Sequence, residues 1–123
     1  MRNSVISGLL LSLALPVNAH HATSTNFTQE RISVEGAIQQ VRYQNPHASI
    51  LIKSTAEDGS EIYWLIETLA RTTLQRRGVT MDRLKVGTHI KATGLKGRRQ
   101  YTMYLLEIEF EDGSKFTTRG VEE

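Results

Sequence analysis

The chain has 123 residues with four histidines and no cysteine, and its 15 Lys and Arg residues against 13 Asp and Glu give a formal net charge of +2. This composition excludes disulfides, cysteine-based metal sites and thiol catalysis. It also lacks the strongly basic field that nucleic-acid binding requires, so we expect no nucleic-acid partner.

Residues 1–19 have the layout of a secretory signal peptide. Arg2 gives a positive start, Ile6 to Leu15 form an apolar core, and Val17-Asn18-Ala19 resembles a small-residue cleavage site. The apolar part is too short to span a bilayer, which takes about 20 apolar residues. We expect cleavage after Ala19, which leaves a near-neutral periplasmic or secreted protein without a transmembrane segment. An uncleaved signal anchor is the alternative.

Residues 20–31 show no sustained hydrophobic period and are interpreted as an N-terminal arm, followed by one domain over residues 32–123. The domain opens with a strand from Ile32. The apolar parity of this strand changes between Gly36 and Gln40, which is typical of a β-bulge. The strand ends at Asn45-Pro46-His47, because proline cannot donate to a strand ladder and Asn-Pro favours a turn.

The remaining elements are two strands, a helix, and two or more further strands. We predict strands at Ala48–Lys53 and Glu61–Glu67, then a helix at Leu69–Arg77 that is capped by Thr68 and ended by Gly78, and a helical turn at Met81–Lys85. A strand around Ile90 and Ala92 follows, and a basic loop at Gly94–Gln100 joins it to the next strand, which has Tyr104, Leu106, Ile108 and Phe110 on one face. The last predicted strand is Lys115–Thr118. Asp58-Gly59 and Asp112-Gly113 predict tight turns.

This order predicts an all-β fold with small α content. Three strands, a helix and further strands, with a bulged first strand, is the order of an OB-fold-like five-stranded barrel with one helix between strands three and four. A β-sandwich or an α+β sheet would also accommodate the pattern.

The histidines predict a metal site. Imidazole is the commonest ligand for copper or zinc in a protein without cysteine. After cleavage at Ala19, His20 would offer its α-amine and its ring, and His21 or His47 could complete a T-shaped or square-planar nitrogen set that suits Cu(II). Cleavage after Asn18 would leave a different copper chelate. The alternatives are solvated histidines near the chain end and, for His47, a turn residue bonded to nearby backbone.

Other polar residues are given weaker roles. His89 is interpreted as an exposed strand residue, and Glu67 as an acid at a helix N-terminus or a partner for Arg71. Lys96-Gly97-Arg98-Arg99 and Tyr101 lie in a loop that OB-folds use to hold oligonucleotides or sugars. No catalytic motif is present, so we expect no enzyme.

A set of short segments along the mature chain carries a family resemblance. The set comprises His20-His21, Val34-Glu35-Gly36, Gln44-Asn45-Pro46-His47-Ala48, Trp64-Leu65-Ile66-Glu67, Leu74-Gln75-Arg76-Arg77-Gly78 and Leu84-Lys85-Val86-Gly87. In these segments the chain is similar to a family of small exported bacterial proteins, domain of unknown function 6152. The resemblance implies export and a single barrel-like domain, and it implies that His20, His21 and His47 act together.

Two functional hypotheses of different classes follow. The first is a periplasmic copper-binding domain that uses His20, His21 and His47. The second is a non-catalytic interaction domain that binds a protein, a glycan or an envelope component through the barrel face around Tyr63 and Trp64 and the basic loop at Arg98.

Overall fold

A computed structural model describes residues 25–118 of the chain. The strands are β1 Phe27–Arg42, β2 Ser49–Thr55, β3 Glu61–Glu67, β4 His89–Gly97, β5 Thr102–Phe110 and β6 Lys115–Thr117, and the helix α1 is Arg71–Arg76. The predicted signal peptide, His20 and His21 lie outside the described residues. Within residues 25–118, no helix has the length and apolar character needed to cross a membrane.

The six strands form one sheet that closes on itself. Their order is β3-β2-β1-β4-β5-β6, and these neighbours pair antiparallel. β3 also pairs in parallel with the start of β5, which joins the sheet into a ring of five strands. With α1 between β3 and β4, this is the OB-fold arrangement, so the predicted fold class is confirmed.

Aliphatic side chains fill the inside of the barrel. Ile38, Ile50, Ile52, Ile66 and Ile108 are each at most 1% exposed. Alternation along each strand places these residues on one face and their neighbours on the other. Each buried side chain of this size contributes about 1.5–3 kcal/mol relative to exposure. Because the chain has no cysteine, this burial takes the place of disulfides.

β1 bends where its pairing partner changes. It pairs with β4 as far as Ala37 and with β2 from Ala37 onward, and its register with β2 shifts between Ile38 and Gln40. The predicted bulge is therefore confirmed. A Cβ at Gly36 would run into the carbonyl group of Lys53, so glycine is the residue that lets β2 approach here.

The start of β1 and the end of β4 both extend beyond their predicted limits. β1 begins at Phe27, not Ile32, and β4 continues to Gly97, through residues predicted as loop. The two extensions pair with each other, Phe27 opposite Gly97. Phe27 is buried and its ring lies 5.6 Å from that of Tyr104, so a tertiary contact holds a segment whose own sequence shows no strand period.

The helix is shorter than predicted. It begins at Arg71, with Ala70 as N-cap and no side-chain cap hydrogen bond. Thr68, the predicted cap, is 1% exposed, and its hydroxyl has no hydrogen-bond partner within the described residues. Gly78 has a φ of +83° and ends the helix as expected. The predicted helical turn at residues 81–85 consists of hydrogen-bonded turns instead.

Tyr104 lies on the outside of β5, contrary to the prediction. The register between β4 and β5 shifts between Thr93 and Gly94. As a result Leu105 and Leu106 are both buried, and the inward parity changes between them. A strand with an irregularity cannot keep one alternation from end to end.

Candidate functional site

Two loops frame one outer face of the barrel. The turn at residues 43–48 joins β1 to β2, and the loop at residues 98–101 joins β4 to β5. Between them β2 and β3 present Ser49 opposite Glu67 and Leu51 opposite Leu65. OB-folds bind ligands on this face and with these two connections.

Two adjoining pockets form a groove on this face. The half beside the 43–48 turn has a volume of about 550 Å³ and is lined by Gln40, Arg42, Gln44, Pro46, His47, Ala48, Ser49, Leu51, Leu65 and Glu67. The half beside the 98–101 loop has a volume of about 330 Å³ and is lined by Asn26, Phe27, Leu65, Glu67, Arg98, Arg99, Thr102 and Met103. Leu65 and Glu67 line both halves, so the two halves meet at the end of β3.

The 43–48 turn is fixed by hydrogen bonds to the helix and the segment after it. The Arg71 N–H donates to the carbonyl of Gln44 at 3.0 Å, and the Thr72 N–H donates to the side-chain oxygen of Asn45 at 3.3 Å. The Tyr43 hydroxyl donates to the carbonyl of Val79 at 2.6 Å. Burial raises the pKa of this hydroxyl, and the positive charge of Arg71 lowers it. The turn therefore holds its position without a ligand.

The 98–101 loop is anchored at both ends. The Arg98 N–H donates to the carbonyl of Asn26 at 2.9 Å, and the Leu65 N–H donates to the carbonyl of Tyr101 at 3.0 Å. Tyr101 has a φ of 55°, and its ring meets the ring of Trp64 edge-on at 5.4 Å. Trp64 packs against the core opposite Ile52, whereas Tyr63 is exposed, so the two lie on opposite sides of β3 and neither lines the groove.

Three arginines line the groove, and none of them has an ion-pair partner in the part of the chain that the structure describes. Arg42 lies in the 43–48 half, and Arg98 and Arg99 lie in the 98–101 half. All three are exposed, and none has a carboxylate within 4 Å among residues 25–118. Guanidinium groups match carboxylates and phosphates in geometry and charge, so the groove is suited to anionic groups. Lys96, from the same predicted loop, is in β4 and pairs with Glu30 at 3.6 Å.

Glu67 lies in the middle of the groove, contrary to its predicted structural role. The helix begins four residues later, and no ion pair with Arg71 occurs in the described part of the chain. Its carboxylate lies near Tyr104: burial raises the pKa of the Tyr104 phenol, Glu67 raises it further, and Arg77 lowers it. The alternation of β3, which places Glu67 on the outer face with Leu65, is the sequence signal that could have identified it.

The structure places His47 in the groove and His89 away from it. His47 is exposed, and within residues 25–118 it makes no hydrogen bond, so the alternative of a turn histidine bonded to backbone is not observed. His89 is exposed at the start of β4, as predicted. The described residues contain no group of three or more His, Asp or Glu that could hold a metal ion.

Two solved structures resemble this chain in fold. The mitochondrial single-stranded DNA binding protein Rim1 from S. cerevisiae has a TM-score of 0.52 and 12% identity, over 70% of this chain and 95% of its own. The N-terminal domain of PriB from Thermoanaerobacter tencongensis has a TM-score of 0.46 and 12% identity, over 68% and 97%. At this identity the similarity to Rim1 concerns the fold alone. No curated protein matches the chain.

The family comparison agrees with the resemblance found in the sequence. The model of a family of unknown function (DUF6152) matches residues 8–104. The match covers most of the chain, and the chain belongs to this family.

Proposed function

We propose that this chain, as a member of a family of unknown function, is a non-catalytic ligand-binding domain whose groove holds an extended anionic ligand. One observation carries the proposal: three exposed arginines that have no ion-pair partner within residues 25–118 line the groove between two loops whose backbones are already hydrogen-bonded. This is the second of the two hypotheses drawn from the sequence.

Physical chemistry favours binding at such a site. Five basic side chains within residues 25–118 pair with carboxylates, as Lys53 does with Glu61 at 3.2 Å, and none of the five lines the groove. Other basic side chains outside the groove, such as Arg76, are also unpaired among these residues, so what distinguishes Arg42, Arg98 and Arg99 is their placement along one groove. In the groove the guanidinium groups are left to pair with a ligand. Loops that are already hydrogen-bonded lose little conformational entropy on binding, which favours affinity. Binding through exposed charges is weakened by salt.

Direct titration provides the test. Trp64 packs against the core and lines neither half of the groove, so binding should be followed by the fluorescence anisotropy of labelled probes. We suggest titration with three polyanions: poly-glutamate, an oligo-dT strand and a heparin-derived tetrasaccharide. At least one should bind, and its affinity should fall as salt is added.

Charge reversal at the groove is compared with charge reversal outside it. Arg98→Glu with Arg99→Glu should weaken binding at least tenfold. Arg76→Glu is the matched control, because Arg76 is exposed at the end of α1, lines neither half of the groove and has no carboxylate within 4 Å among residues 25–118. Replacement of the histidines should weaken polyanion binding far less than the arginine reversals do, although His47 lines the groove. Equal loss in the groove variant and the control, or no binding of any probe, would contradict the proposal.

The second proposed function is copper binding by His20, His21 and His47 in the exported protein. Two observations favour it. His47 makes no hydrogen bond within the described residues, and Asn26 lies at the other half of the same groove. Five residue steps from Asn26 back to His21 reach about 17 Å when extended. Three strand spacings across the sheet amount to about 14 Å, so the N-terminal segment is long enough to bring His21 to His47.

The copper proposal depends on export and on the cleavage site. Mass spectrometry of the protein recovered from the periplasm or medium should give a chain that begins at His20. Calorimetric titration of this processed protein with Cu(II) should then show affinity that His47→Ala reduces. His89→Ala is the control, since His89 is also exposed but lies at the start of β4. Equal affinity in wild type and His47→Ala would exclude a shared site.

A further inference from the structure

The floor of the groove carries two leucines beside the carboxylate of Glu67, and both ends of the groove are cationic. Leu51 and Leu65 are cross-strand partners and are half-buried on its floor. Arg42 lies on the β1 side of this floor, and Arg98 and Arg99 lie on the side of the 98–101 loop. Across the strands, the groove therefore has arginines at both ends and two leucines on the floor between them.

The spacing of the strands sets the length of a matching ligand. Neighbouring strands lie about 4.8 Å apart, so the path from β1 over β2 and β3 to the start of β5 is about 14 Å. An extended peptide rises about 3.3 Å per residue, and about four residue steps cover this path. Two acidic side chains four residues apart would reach both cationic ends, with an apolar side chain between them over the leucines.

We infer that the groove binds an extended acidic peptide segment of a partner protein, with two carboxylates about four residues apart and an apolar residue between them. This inference rests on the proposed function of the groove and specifies its ligand. The unpaired arginines supply the charge complementarity, and the side-chain amides of Gln40 and Gln44 in the 43–48 half are suited to hydrogen bonds with a peptide backbone.

A single-stranded nucleic acid fits this groove less well. Such ligands bind by stacking their bases on exposed aromatic rings along a basic groove. Among the described residues, two aromatic rings line the groove: Phe27, which is 6% exposed and packed against Tyr104, and the imidazole of His47 in the other half, so the groove has no continuous run of exposed rings. Tyr63 and Tyr101 are exposed, but neither lines either half of the groove.

An acidic glycan also fits less well. Sugar rings carry hydroxyl groups on most of their carbons, and an aliphatic floor at Leu51 and Leu65 leaves such groups without hydrogen-bond partners. An apolar peptide side chain loses nothing by contact with this floor.

Glu67 sets the charge pattern that the groove accepts. Its carboxylate lines both halves and has no ion pair within residues 25–118. It therefore repels a ligand that is acidic along its whole length and tolerates one with acids at its ends only. Glu67→Gln should remove this discrimination, which a merely structural role for Glu67 would not alter.

The test uses the full processed chain and five-residue probes, with binding measured by isothermal titration calorimetry. The peptide acetyl-Glu-Ala-Leu-Ala-Glu-amide should bind, and its double Gln counterpart should bind at least tenfold more weakly. Arg42→Glu, and Arg98→Glu with Arg99→Glu, should each weaken binding at least tenfold, whereas Arg76→Glu should not. The all-Glu pentapeptide should bind more weakly than the first peptide to the wild type and gain severalfold in Glu67→Gln.

The outcomes separate this inference from the proposed function. Binding of oligo-dT or the heparin-derived tetrasaccharide that depends on Arg98 and Arg99, with no binding of the acidic peptide, would overturn the peptide inference and leave the ligand-binding groove intact. Failure of every probe against a chain whose circular dichroism shows it folded would overturn both. Peptide binding that is equal in the groove variants and in Arg76→Glu would also overturn the inference.

Discussion

The loops of this barrel fall into two kinds, and their hydrogen bonding distinguishes them. At Asp58-Gly59-Ser60 and at Asp112-Gly113-Ser114, the aspartate accepts hydrogen bonds from the N–H and the hydroxyl of the serine two residues later, with the N–H bond at 2.9 Å in both turns. The 43–48 turn and the 98–101 loop have anchored backbones as well, yet they present His47, Arg98 and Arg99 without partners among the described residues.

The two kinds of loop differ in whether their polar side chains are available to a ligand. The two Asp-Gly-Ser turns use their polar side chains on themselves, so a ligand would have to break internal hydrogen bonds to use them. In the two groove loops, backbone groups hydrogen-bond to other segments of the chain, and the charged side chains have no partner among the described residues. Substitutions in and around both kinds of loop test this difference.

Gly97→Ala should destabilise the protein most. A Cβ at Gly97 would run into the side chain of Thr102 at the base of the 98–101 loop, so strand and loop would have to shift. Overpacking of this kind costs up to about 3 kcal/mol. Urea unfolding should show the loss, and polyanion binding should weaken with it. A variant as stable as the wild type would show that the loop base has room to adjust.

Gly59→Ala should have a smaller cost and no effect on binding. Gly59 has a φ of +83°, and nothing lies within 4 Å of the added Cβ, so the cost comes from backbone conformation and not from a clash. It amounts to about 1–2 kcal/mol. Gly113→Ala in the second turn should behave in the same way. Urea unfolding should show the loss of stability, and polyanion titration should show unchanged binding. Weakened binding would contradict the view that the Asp-Gly-Ser turns take no part in ligand binding.

Tyr43→Phe should cost about 1 kcal/mol of unfolding free energy, the net value of one hydrogen bond. The lost bond joins the start of the 43–48 turn to the carbonyl of Val79. Tyr63→Phe is the matched control, because Tyr63 is 49% exposed and its hydroxyl makes only a 3.5 Å contact with Glu61. Thermal unfolding of both variants would decide whether the turn depends on this bond; equal stability would exclude that dependence.

Ser60→Ala should have the smallest effect, and one that depends on pH. The Ser60 hydroxyl and N–H hold the pKa of the Asp58 carboxyl below its ordinary value. This stabilisation is therefore present above the ordinary pKa of about 4 and is lost as the pH falls through the lower folded-state pKa. NMR titration should show the pKa of Asp58 rising toward its ordinary value in Ser60→Ala. An unchanged pKa would mean that other groups hold it down.

Much of the fold was predictable from local pattern. The limits of β3, the bulge in β1 and the two Asp-Gly turns follow from alternation, parity and turn chemistry, which depend on neighbours in the sequence. The strand at Phe27 does not follow from local pattern, because its pairing with β4 and its contact with the ring of Tyr104 join residues far apart in the sequence. The shift of Tyr104 to the outer face was missed in the same way, because it comes from the pairing register of β5 with β4.

The candidate site also combines features that local sequence predicts with features that depend on long-range pairing. The sequence by itself identified His47, Arg98 and Arg99 as chemically capable side chains, because residue type and turn position are local properties. Only the tertiary structure showed that they lie along one groove with Arg42, and that Glu67 stands at its centre. That arrangement depends on the register of β3 against β2 and on its parallel contact with β5. Both pairings join residues far apart in the chain, and no local pattern determines them.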